Sequence, residues 1–199
     1  MFRQRLVFTF VAGIVSMMFP AFSQSETPRQ EVSAQAFGSF VKSTWQDGVQ
    51  NKATNSGGVL GTYRFFFSRH HGVEGNYGYA KNTQSYSNST DRLGVKTYSN
   101  EVSGAYVFRL PFGRITPFAL AGVGALVFDP TNFAGASTQT RAAFVYGGGA
   151  DFNLPHHIFV RAQYRGFVYN SPTYDLAALS NLDRVTHRAE PSAGFGYRF

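Results

Sequence analysis

Polar and apolar residues alternate with a period of two along most of the chain, and beyond the first two dozen residues no stretch keeps the 3.6-residue period of an amphipathic helix. Ile158 to Val168 is the clearest case. Ile158, Val160, Ala162, Tyr164, Gly166 and Val168 share one side of an extended chain, and Phe159, Arg161, Gln163, Arg165 and Phe167 share the other. The final stretch, EPSAGFGYRF, divides in the same way, with Pro191, Ala193, Phe195, Tyr197 and Phe199 opposite Glu190, Ser192, Gly194, Gly196 and Arg198. Six further segments follow the pattern: 32–41, 58–67, 73–81, 98–108, 114–128 and 140–152. Segment 114–128 is apolar on both faces and the phase of 32–41 is ambiguous, so inward and outward positions are least defined there.

The connections alternate in length. SRHHG, RLPFG and NLPHH are short and built on turn formers, whereas VKSTWQDGVQNKATNSG, NTQSYSNSTDRLGVKT, DPTNFAGASTQ and YNSPTYDLAALSNLDRVTH are long and polar. Strands that run up and down, with every long loop at one end, produce this regularity. The expected fold is therefore all-β, an eight-stranded antiparallel up-and-down barrel.

The two faces separate a soluble barrel from a transmembrane one. The polar faces carry Arg64, Glu74, Glu101, Arg161, Arg165, Glu190 and Arg198 among small Gly, Ser and Ala residues. Sparse charges of both signs suit a narrow, paired interior better than a solvated surface. The apolar faces place aromatics near strand ends, including Tyr63, Phe65, Phe67, Tyr106, Phe108, Tyr197 and Phe199, as in the interfacial girdles of a bilayer-embedded barrel.

Composition agrees with a membrane barrel. The 199 residues contain no cysteine, 17% aromatics and only 15% charged residues. That excludes a disulfide-stapled module or a thiolate metal site. At the N-terminus, Arg3 and Arg5, an apolar run from Leu6 to Phe19, Pro20 and the small-residue pattern around Ser23 read as a secretory signal. The expected organisation is a signal peptide over 1–23, a periplasmic segment over 24–31 and an outer-membrane barrel over 32–199. Without the two leader arginines a cationic surplus of five remains, spread without runs. It favours an anionic neighbour such as lipid and gives no nucleic-acid signature.

The ending AGFGYRF, the eight strands and the alternating loops resemble the small outer-membrane β-barrel family typified by the OmpA transmembrane domain. The resemblance implies that Phe199, supported by Phe195 and Tyr197, is the signal read by the barrel assembly machinery during insertion. It also implies outer-membrane lipids, including lipopolysaccharide, as surroundings, a monomer, and both chain ends in the periplasm. Nothing follows Phe199, so the peptidoglycan-binding domain of full-length OmpA is not expected.

Among the candidate groups, the interior charges read as a plug, with Glu190 paired to Arg161 or Arg165; the rival reading is an ion gate. His70-His71 and His156-His157 lie in short turns, where adjacent side chains diverge, so no metal or other cofactor is expected. His187, Ser192 and Glu190 are the only close catalytic-type grouping, and His187 has the opposite parity; the expectation is no enzyme. The glycine runs at 122–124 and 147–149 lack the Lys-Ser/Thr of a phosphate loop. The expected function is structural, in membrane integrity, with at most a narrow or gated pore. The alternatives are an adhesin using the long loops and a lipid-modifying enzyme.

Overall fold

The structure is a computed structural model that describes residues 29–41, 44–46, 49–53, 56–87, 92–130, 139–170 and 185–199. The expected signal peptide and most of the segment after it lie outside these residues, as do the Asn88-Ser89-Thr90 sequon and the Asp175 to Leu182 stretch. Among the described residues there are ten strands and no helix. They are β1 (Gln30–Val41), β2 (Thr44–Gln46), β3 (Val49–Ala53), β4 (Ser56–Phe66), β5 (His71–Ser87), β6 (Arg92–Arg109), β7 (Ile115–Pro130), β8 (Gln139–Asn153), β9 (Ile158–Asn170) and β10 (Val185–Arg198).

Eight of them close a ring in which each strand pairs antiparallel with its sequence neighbour, and β1 pairs with β10 through Glu31↔Arg198 to Phe37↔Ser192. Closure removes both sheet edges. Short turns at 67–70, 110–114 and 154–157 sit at the end where Gln30 and Phe199 exchange backbone hydrogen bonds of 3.2 and 3.0 Å.

Alternation turns one face of each strand inward. On β1, Glu31, Ser33, Gln35, Phe37 and Ser39 are buried, while Val32, Ala34, Ala36 and Phe40 face out, which gives segment 32–41 its phase. On β7, Phe118, Leu120 and Leu126 point inward, so a face that reads as apolar is part of the lumen filling. The interior thus mixes charged groups with a hydrophobic cluster that includes Phe66, Val107, Leu120, Leu126, Val145 and Phe167.

Two stretches expected as loops carry strands. β5 and β6 stay paired out to Ser87↔Arg92, beyond the expected ends at Lys81 and Tyr98, where Thr83, Tyr86, Val95 and Thr97 are residues that favour extended pairing. β2 and β3 form a small hairpin within the first long connection, and β3 pairs with the outer part of β5 through Gln50↔Ser87 to Ala53↔Gln84. The wall therefore rises higher on one side.

Candidate functional site: the ion-paired lumen

The inward parity of the strands brings the charged side chains together. Near the short-turn end, Glu31 on β1 accepts from Arg109 Nη1 at 2.7 Å, Arg161 Nη2 at 2.8 Å and Arg198 Nε at 2.8 Å. Asp151 on β8 takes two bonds from Arg161, Nε to Oδ1 at 2.7 Å and Nη2 to Oδ2 at 2.8 Å, and one from Arg198 Nη2 at 3.0 Å. Arg64 Nε donates to Glu74 Oε2 at 2.6 Å, and Asn76 Nδ2 donates to the other oxygen of Glu74 at 2.8 Å. Nearer the long-connection end, Arg165 Nη2 bridges Glu101 at 2.5 Å and Glu190 at 2.8 Å, and Arg188 closes the group on Glu190 and Glu101.

Aromatic rings line the cations. The Arg64 guanidinium lies 4.0 Å from the Phe118 ring centroid, Arg109 3.4 Å from Phe66, and Arg161 4.8 Å from Phe159. Desolvated cation–π contacts of this kind contribute about 2 kcal/mol. They help to explain how arginines with 0–1% exposure, Arg64, Arg161 and Arg165, are held away from water. Glycine supplies the room. Gly78 faces inward on β5, and a Cβ there would lie 2.4 Å from Glu101 Cγ, which Arg165 holds in place.

All seven charges singled out from the sequence line this interior, Arg198 at its rim. Glu190 pairs with Arg165 and Arg188, and Arg161 serves Glu31 and Asp151 instead. Four participants were missed: Glu31, Arg109, Asp151 and Arg188. Each sits on the inward parity of its strand; Glu31, Arg109 and Arg188 lie one or two residues beyond the expected ends, whereas Asp151 lies inside segment 140–152, opposite Phe144, Tyr146 and Phe152, and was readable there. Among the described residues, Ser103 Oγ, Gln163 Nε2, and Nε and Nη1 of Arg165 have no hydrogen-bond partner.

Phe195, Tyr197 and Phe199 point outward on β10, the last two rings stacked at 6.3 Å between centroids. His187 also faces outward, its Nε2 2.8 Å from Tyr146 Oη, while Glu190 and Ser192 face the lumen. The wall separates that trio. Among the described residues no three His, Asp or Glu side chains converge as metal ligands.

Known proteins repeat this architecture. The model of the outer membrane protein beta-barrel domain matches residues 9–199. Among solved structures, Ail, the attachment invasion locus protein of Yersinia pestis crystallised with the heparin analogue sucrose octasulfate, is 24% identical, with a TM-score of 0.54 over 87% of this chain and 100% of its own. OprG from Pseudomonas aeruginosa is 15% identical, with a TM-score of 0.61 over 89% and 99%. Neisserial surface protein A is 16% identical, with a TM-score of 0.58 over 85% and 97%. None of the curated proteins compared with the chain matches it. The alternating wall, its closure through β1 and β10 and the match over nearly the whole length lead to one conclusion: the chain belongs to the outer-membrane protein β-barrel domain family.

Proposed function

We propose that the protein spans the outer membrane as a sealed barrel and serves the integrity of that membrane rather than the passage of solutes. In this reading the short turns and the joined ends Gln30 and Phe199 face the periplasm, and the long connections face outside. The observation that carries it is the content of the lumen. Arginines from β4, β9, β6 and β10 cross to carboxylates on β1, β5, β6, β8 and β10, with inward phenylalanines filling the remaining space. Eight-stranded interiors are only wide enough for side chains. The parent protein is expected to be silent in planar lipid bilayers at all voltages. Single-channel steps that vanish in Arg161→Ala or Glu190→Ala would replace the plug with a gate.

The raised sheet of β2, β3, β5 and β6 favours a second reading, a recognition surface at the long-connection end. Ail, of the same architecture, was crystallised with a heparin analogue. Removal of residues 84–95 separates the two readings, since it leaves the sealed lumen whole. A lipid-modifying activity gains no support from His187, which stands on the opposite face from Ser192 and Glu190.

A further inference from the structure

The charges of the wall are sorted by place. Every acidic side chain whose surroundings are described, Glu31, Glu74, Glu101, Asp151 and Glu190, is buried in the lumen against arginines. The three short turns consequently present no acidic side chain. They present Arg69 and Arg114, both exposed and with guanidinium groups bonded to no other described residue, beside the pairs His70-His71 and His156-His157. Apolar turn tips accompany them: Phe67 is 55% exposed and Phe112 66%, with Leu110 and Leu154 also exposed.

These turns are built rather than loose. Arg109, anchored on Glu31, donates Nε–H to Arg69 O at 3.0 Å, and His70 Nδ1 donates to Arg109 O at 3.0 Å. Ser68 Oγ accepts from the backbone N–H groups of His70 and His71 at 3.3 and 3.1 Å. In the third short turn His156 and His157 both take left-handed backbone angles, φ of 62° and 64°, in positions that glycine or asparagine would occupy without strain. Strain of this kind is kept where the side chain has a use.

We infer that the short-turn rim is a collar for the phosphate headgroups of anionic phospholipids in the adjoining leaflet. Arg69 and Arg114 supply the charge, His156 and His157 each bring one N–H donor, and Phe67, Phe112, Leu110 and Leu154 enter the acyl boundary beside them. Cations flanked by apolar anchors are how a protein grips a charged bilayer surface. The collar rests on the membrane-spanning reading proposed above.

The test is lipid retention by the folded full chain in vesicles of equimolar phosphatidylglycerol and phosphatidylcholine, read by native mass spectrometry, with heat-modifiable gel mobility as the folding control. The parent is expected to hold phosphatidylglycerol in excess, and each arginine to contribute about fivefold to that preference. Arg69→Gln with Arg114→Gln is expected to abolish it, and raised salt to weaken it. His156→Asn with His157→Gly relieves the backbone strain and is expected to lower the preference while the barrel resists unfolding at least as well, which keeps a test in hand if the arginine variant misfolds. A parent that holds the two lipids in proportion to the mixture, or an arginine variant that holds them as the parent does, overturns the collar. A chain that inserts into no vesicle overturns the membrane-spanning reading instead.

Discussion

Glu31 accepts from three arginines that come from three other strands, Arg109, Arg161 and Arg198, and it is 1% exposed. Its removal would leave Arg161 and Arg198 to share Asp151, and Arg109 without its bonded carboxylate. Breaking a buried ion pair from one side costs about 3–5 kcal/mol, most of it from the charge left behind. Glu31→Ala is therefore expected to lower unfolding stability by that amount in urea titrations of the protein in micelles. A loss under about 1 kcal/mol, as for an exposed pair, would show that water reaches the site. The sequence made the seven interior charges of β4, β5, β6, β9 and β10 legible, because each stands inside a clean alternating run. Glu31, Arg109 and Arg188 stand where that run gives out, so the parity that exposes the others does not reach them unaided, whereas Asp151 stands inside its run, just after glycines 147–149 that blur the alternation. Which acid meets which base was not legible at all. Arg165 reaches Glu101 on a strand that is not its neighbour, and only closure of the ring brings them together.

At the level of the elements, the β1–β10 seam differs from the other wall ladders. Pairing runs from Glu31↔Arg198 to Phe37↔Ser192 and resumes at Phe40↔Ala189 in the same register, which leaves Gly38 and Ser39 beside Pro191 and Glu190 without ladder partners. Proline has no N–H to give, so the strand keeps its place but loses bonds. Each missing bond is worth about 1 kcal/mol, or roughly fivefold in local opening. Amide exchange is expected to be faster at Gly38, whose N–H faces β10, than at Ala34 and Ala36, and Pro191→Val to reduce the difference. Equal protection along β1 in the parent would rule out a weakened seam. The eight wall strands were legible from period two alone; the outer parts of β5 and β6, and β2 and β3, were not. The outer part of β5 is almost wholly polar, that of β6 has only Leu93 and Val95 as aliphatic residues, and β2 and β3 are too short to show a period, which weakens the signal that marks a strand in sequence.

Across the whole molecule, outward aromatics and inward charges are two readings of one alternation, and β10 carries both to its end. Phe199, outward and 40% exposed, touches no part of the lumen network. Truncation there is expected to cost the folded barrel no more than about 1 kcal/mol. If the terminal aromatic is an assembly signal, Phe199→Ala should nevertheless reduce the amount found in outer-membrane fractions several-fold while the same variant, refolded in micelles, unfolds near the parent's urea midpoint. Normal membrane levels would remove that role.

The placing of Glu31 has a temporal consequence. Of its three arginines, Arg109 lies on β6, Arg161 on β9 and Arg198 on β10, so the acid on β1 meets its first base only once β6 has been made. Until β6 is in place that carboxylate has none of these partners, and a bilayer penalises a lone carboxylate heavily. The inward face of β1 is thereby tied to strands far along the chain, and it is expected to leave water only in their company.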